Sequence, residues 1–227
     1  MLISLHMPKA GGTSFKNLLS KHFGAALKLD YNDQPINTPI EERHRAAEKN
    51  NKRTSSPIWK IQNRNVHCIH GHFLPYKYSN LFGKKNVQFV TWMRDPVERI
   101  LSHYYFWKEN STENMGALHQ RMINENWSLE EFICAPELQN VYTQFLWKFP
   151  LENFDFIGIT ENIKEDYPYF ASKYLKQKVE QVPHVNPTSG KKDSSEVSNE
   201  VLEKIRALNA EDYKLYEHAL ALRKERN

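Results

Sequence analysis

Seven consecutive residues near the N-terminus, Pro8-Lys9-Ala10-Gly11-Gly12-Thr13-Ser14, have the makings of an anion cradle. Adjacent glycines let the backbone approach a ligand closely, and Lys9 brings a full positive charge to the same place. The apolar run Leu2 to Leu5 precedes them and an amphipathic pattern follows, so the segment reads as strand, turn and helix start. There, free backbone N–H groups and the positive end of a helix converge on one phosphate. The segment is not a GxxxxGK[ST] loop, because its lysine comes before both glycines. A strand-to-helix turn that uses glycines only for tight packing is the competing reading.

Two further groups carry chemistry. In Val90 to Phe106, VTWMRDPVERILSHYYF, Arg94 ends a buried run and Ser102 lies two turns along the helix that follows. A guanidinium fork and a hydroxyl donor make a clamp for a phosphate. The alternative is that Arg94 pairs with Asp95 or Glu98 and Ser102 is a surface residue. In His67 to Phe73, HCIHGHF, His70 and His72 are two apart and share a face if a strand continues through them. Metal ligation, general-base chemistry and a satisfied core position are all open to such histidines. No carboxylate or cysteine in a ligand spacing accompanies them.

Four runs read as the buried strands that must hold these groups: Leu2 to His6, Val66 to Ile69, Val87 to Met93 and Phe154 to Ile159. Helical patterns separate or follow them. Phe15, Leu18, Leu19 and Phe23 make one apolar face that Gly24 can stop. Asp95-Pro96-Val97-Glu98 reads as a helix start, with Asp95 as N-cap, Pro96 at the first turn and Glu98 closing a capping box. Further helices are expected over Met115–Asn124, Leu129–Ile133, Leu138–Trp147, Ile163–Leu175 and Asn199–Arg226. Strands alternating with helices predict an α/β fold, a three-layer sandwich around a central parallel sheet, with ligands beyond the carboxyl ends of the strands. Residues 31–57 and 183–198 lack apolar periodicity and are expected to be loops or lids, with a short exposed helix possible over Ile40–Asn50.

The chain of 227 residues is long enough for a full core and is expected to form a single domain over 1–227. Its 40% hydrophobic and 26% charged residues are ordinary for a water-soluble protein, and no apolar run approaches the ~20 residues that span a bilayer. A net charge of +4 suits anionic ligands without indicating nucleic acid. Two cysteines, Cys68 and Cys134, suggest reduced thiols.

Taken together, PKAGGTS, HGHF, the strand leading to RDPVERILSHYYF, DFIGITENIKE and VNPTSGKK resemble the sulfotransferases that use 3′-phosphoadenosine 5′-phosphosulfate (PAPS). The likeness is greatest to the uronosyl 2-O-sulfotransferases of heparan and related glycosaminoglycans, and runs from Leu2 to about Lys192. It implies the P-loop-nucleotide-binding-like sulfotransferase fold and transfer of a sulfuryl group to a hydroxyl of a saccharide. It also implies roles. Lys9, Ala10, Gly11, Gly12, Thr13 and Ser14 would form the loop on the 5′-phosphosulfate. Arg94 and Ser102 would hold the 3′-phosphate. His72 would be the base, with His70 as its partner or alternate, and Lys9 would stabilise the leaving phosphate. Thr188, Ser189, Gly190 and Lys191 would lie over the nucleotide.

That chemistry is reasonable for these residue types. In-line displacement at sulfur needs a base for the attacking hydroxyl and a cation for the leaving oxygen, and requires no metal. Members acting on animal glycosaminoglycans carry a membrane anchor. This chain begins at its first strand and is expected to be a soluble, cytoplasmic, bacterial-type member without a membrane span or nucleic-acid partner. Arg43, Arg45, Lys49, Lys52, Arg53 and Lys60 could meet an acidic glycan, although a solvated face is the favoured reading. Alternative functions are a nucleotide kinase-like phosphotransferase and a non-catalytic nucleotide- or glycan-binding module.

Overall fold

Short β-branched and aromatic runs form the strands, and their continuous apolar character has a direct structural consequence. In a computed structural model of the chain, describing residues 1–110, 116–179 and 194–226, five strands form one wholly parallel sheet. In chain order the elements are β1 (Leu2–Leu5), α1 (Gly12–Phe23), β2 (Leu27–Leu29), α2 (Ile40–Thr54), α3 (Pro57–Gln62), β3 (Cys68–Gly71) and β4 (Gln88–Met93). There follow α4 (Pro96–Glu109), α5 (Ala117–Asn124), α6 (Leu129–Cys134), α7 (Val141–Phe145), β5 (Phe156–Ile159), α8 (Ile163–Leu175), α9 (Asn199–Leu208) and α10 (Ala210–Arg226).

The strand order is β2-β3-β1-β4-β5. The chain winds to one side of β1 and then crosses to the other, so β1 and β4 flank the point where the winding reverses. A crevice opens at the carboxyl ends of strands at such a point. Both faces of the sheet are covered, which is why β1 and β3 are buried at every position. On one face Trp92 packs on Phe15 of α1 and on Tyr167 of α8. On the other, Phe89 packs on Phe149 and Phe154. A second apolar cluster, built from α4, α5, α6 and α9 around Leu101, Phe132 and Ile205, supports α4 from behind.

Several elements differ from expectation. The third strand runs Cys68–Gly71, two residues beyond the expected start, which puts His70 inside the sheet and His72 past its end. Residues 31–57 are not a long loop: α2 occupies fifteen of them and α3 follows. The buried face of α2 is largely polar, which hides it from an apolar-periodicity reading. Asn51 donates to the Tyr76 carbonyl (2.9 Å) and to Ser79 Oγ (2.8 Å), and Arg43 donates to the Pro35 carbonyl (2.6 Å) and to Gln144 Oε1 (2.7 Å). Arg43 is therefore a buried structural residue, not part of a solvated basic face. The expected single helix from Asn199 to Arg226 is two helices broken at Asn209, whose side-chain oxygen accepts from the Asn140 N–H at 2.9 Å. Residues 180–193, with Thr188, Ser189, Gly190 and Lys191, lie outside the described residues.

Candidate active site

Three strand ends and the helix after the fourth strand enclose a cleft of about 650 Å³. The turn after β1 forms its first wall. Lys9 takes a left-handed φ of 64° and Gly11 one of 82°, folding the chain back so that α1 starts inside the cleft. No side chain caps α1 and no acidic residue occupies its first turn. The N–H groups at Gly12, Thr13 and Ser14 thus begin the helix without a side-chain partner, and the helix dipole adds partial positive charge there. Lys9, Gly11, Gly12, Thr13 and Ser14 line the cleft, and Ala10 is buried behind them.

Lys9 projects along this wall. Its Nζ lies 3.7 Å from the centroid of the Phe106 ring. Burial, and then the neighbouring Arg94 charge, lowers the pKa of its ammonium to about 8. Glu109 opposes the shift without forming an ion pair with Lys9, and among the described residues no carboxylate is paired with this buried cation, which suits it to accept an anion.

The second wall is α4. Asp95 accepts from the Glu98 N–H at 3.1 Å, so the expected N-cap forms. Arg94 lies just before it, its backbone held twice: Arg94 N–H donates to Tyr142 Oη (2.9 Å), and the Tyr142 hydroxyl donates to the Arg94 carbonyl (2.6 Å). The Arg94 guanidinium meets Glu98 at 3.2 Å and Glu161 at 3.9 Å while still lining the cleft. The pairing with Glu98 read from the sequence is thus present, in a side chain that also lines the cleft. Ser102 is buried and lines the cleft, as do its neighbour His103 and the rings of Phe106 and Trp107.

Histidines form the third wall. His72 Nδ1 lies 2.6 Å from the His6 carbonyl oxygen, which can only accept. Nδ1 therefore carries the proton, and Nε2 carries the lone pair that a general base needs. Burial lowers the His72 pKa, with the bond to the carbonyl opposing the shift, so the ring is neutral at pH 7. His70 does not join it in the cleft. It is 1% exposed, with Nδ1 2.8 Å from Ser4 Oγ, and burial followed by the nearby His72 lowers its pKa to about 3. Gly71 lies between the two, and a β-carbon there would sit 1.8 Å from the Asp30 carbonyl oxygen. The sequence reading did not single out His6, which lines the cleft between the turn and His72, and read it only as the last residue of the first strand.

Among the described residues no group of three or more His, Cys, Asp or Glu is arranged to hold a metal ion. Nor is any of their helices long and apolar enough to cross a membrane. A helix N-terminus, two cations, a hydroxyl and a neutral histidine in one cleft can bind a polyanion and remove a proton beside it.

Heparan sulfate 2-O-sulfotransferase 1 of Xenopus laevis is 26% identical over 156 residues, covering 60% of this chain and 39% of that protein. The protein of the same name from Pongo abelii is 25% identical over 143 residues, with the same coverage. The chain thus spans 39% of the length of these curated relatives. A crystal structure of a sulfotransferase from Alicyclobacillus acidocaldarius aligns with 96% of this chain and 94% of its own, at a TM-score of 0.48 and 14% identity. Residues 1–219 match the sulfotransferase family, and the chain belongs to it.

Proposed function

We propose that the chain moves a sulfuryl group from PAPS to a hydroxyl of a saccharide, with His72 as the base. The observation that carries this reading is that an uncapped helix start and Lys9 share one cleft with the lone-pair nitrogen of His72. The donor is a substrate, and the residues present fit its charges. The first turn of α1 and Lys9 suit the 5′-phosphosulfate, and Arg94 with Ser102 suits the 3′-phosphate. The saccharide acceptor is supported by the heparan sulfate 2-O-sulfotransferases among the relatives.

In the step, the acceptor oxygen attacks sulfur and His72 Nε2 takes its proton. The bond between sulfur and the bridging oxygen breaks, its electron pair stays on the 5′-phosphate, and 3′-phosphoadenosine 5′-phosphate (PAP) leaves. Charge grows on that oxygen, where Lys9 and the helix N–H groups stabilise it more in the transition state than in the ground state.

The test is an acceptor screen with sulfur-labelled PAPS. The panel holds desulfated heparan-type polysaccharide, other uronate polysaccharides, neutral polysaccharides and simple phenols. Label should enter a polysaccharide, and His72→Ala should lower kcat by about 10²–10⁴-fold while leaving PAP affinity within a few fold. Transfer to phenols alone would overturn the saccharide acceptor. PAP binding without transfer to any acceptor would make the chain a binding module.

A further inference from the structure

His6 has no part in the step just described, yet it occupies the ground between its two halves. Its ring stacks on His72, with centroids 4.3 Å apart and planes 27° apart. At its Nε2 edge it meets the start of α1 so closely that a β-carbon on Gly12 would lie 1.7 Å from Nε2. His6 lines the cleft, and its Nδ1 is 2.9 Å from the Tyr31 hydroxyl. The transferring group must pass from the turn, where the donor's phosphate is held, to an oxygen beside His72. His6 touches both ends of that path.

We propose that His6 is a catalytic residue whose Nε2–H donates a hydrogen bond to a non-bridging oxygen of the sulfuryl group during transfer. The inference rests on the sulfuryl-transfer reading above. The role needs the tautomer in which the Tyr31 hydroxyl donates to Nδ1, 2.9 Å away, and the ring proton sits on Nε2. His6 gives up no proton, so the balance of the step is unchanged. A neutral donor is what the position demands, because a charge stacked on His72 would oppose its taking the acceptor's proton. Burial, reinforced by His72, His70, Lys16 and Lys9 around it, holds the His6 pKa well below its usual value. The arrangement works as an oxyanion hole does, with a fixed dipole aimed where charge is carried through the reaction.

Calorimetry separates this contact from acceptor chemistry, since PAPS has the sulfuryl group and PAP lacks it. His6→Leu should leave PAP affinity within about threefold and weaken PAPS tenfold or more. Its kcat should fall about 10²-fold, the usual loss for one such donor. His6→Gln, whose amide can donate, should recover at least tenfold of that kcat. In the parent, with histidines labelled in nitrogen-15, PAPS should move the His6 Nε2 resonance and PAP should not, a readout that needs no variant to fold. Equal movement by both ligands, equal weakening of both in His6→Leu, or a kcat within threefold of the parent would each overturn the role of His6. Those outcomes leave sulfuryl transfer intact. A parent that binds neither ligand would sink the functional reading itself, and this inference with it.

Discussion

With Lys9 in its proposed role, its lowered pKa should make the rate fall in mild alkali, by an amount that follows from the structure. Burial of the ammonium against α4, with Arg94 alongside, brings its pKa to about 8. With that value roughly nine-tenths of the free enzyme carries the charge at pH 7 and about one-tenth at pH 9. Since kcat/KM reports the groups of the free enzyme, it should drop close to tenfold per pH unit above 8. Bound phosphosulfate stabilises the ammonium, and an adjacent opposite charge typically moves a pKa by about 1–3 units. The basic limb of kcat should therefore lie at about 9–11. The assay is initial rates with labelled PAPS from pH 6 to 10, with circular dichroism at each pH to show that the fold persists. Lys9→Arg supplies the decisive comparison. A guanidinium keeps its charge throughout, so the limb near pH 8 should vanish even though the altered geometry lowers the rate. A limb near 8 that survives in Lys9→Arg, or is missing from the parent, would refute the assignment.

Arg94→Ala should weaken PAP by about 1.5–3 kcal/mol, the worth of a charge-assisted hydrogen bond. The lower end applies if the guanidinium has to share itself with Glu98 and Glu161. Adenosine 5′-phosphosulfate, lacking the 3′-phosphate, should be nearly indifferent, and equal losses for both ligands would remove Arg94 from the 3′-phosphate. Acid should destabilise the fold from about pH 6.5 downward, because the folded pKa values of His6, His70 and His103 all lie below their unfolded values. Below about pH 6.5 the unfolded chain binds protons that the folded chain refuses, so stability is fully present above that pH and declines beneath it, by roughly 1.4 kcal/mol per pH unit per histidine. For His70 the decline continues to about pH 3. Urea unfolding at pH 7 and pH 5 measures it, and unchanged stability between them would show that these rings titrate normally.

Much of the site was legible because its residues are local in sequence. The turn from Pro8 to Ser14 needs only its own glycines and the following apolar face, and Asp95-Pro96 announces α4 through the Asp95 N-cap that the structure realises, although the Asp95 N–H donates to Glu161 in place of the expected capping-box Glu98. What stayed hidden depends on partners far along the chain. The buried face of α2 is written in Arg43, Asn51 and Thr54, whose hydrogen-bond partners lie partly in other elements. β2 has three residues, Leu27–Leu29, too few for a pattern. The two-residue displacement of β3 is small in sequence and large in chemistry. It encloses His70 in the sheet against Ser4 and releases His72 at the rim, so two histidines that looked interchangeable have different environments. The value of His6 rests on its stacking with a residue sixty-six positions away, which no local pattern encodes.

The same surroundings constrain when the proton moves. A histidine beside Lys9, Arg94 and a helix N-terminus must be neutral to act as a base, and burial ensures that His72 is neutral. The lowered pKa that keeps it neutral also makes it a weaker base than a free imidazole. A sugar hydroxyl, far less acidic than an imidazolium, cannot be deprotonated by such a group in advance. The hydroxyl becomes acidic only as its oxygen bonds to sulfur, so in the proposed step transfer to His72 Nε2 would accompany bond formation. Electrophilic help then matters more than base strength. In the proposed step, Lys9, the first turn of α1 and His6 would act on the sulfuryl group and its leaving oxygen, and the base would collect a proton that they have loosened.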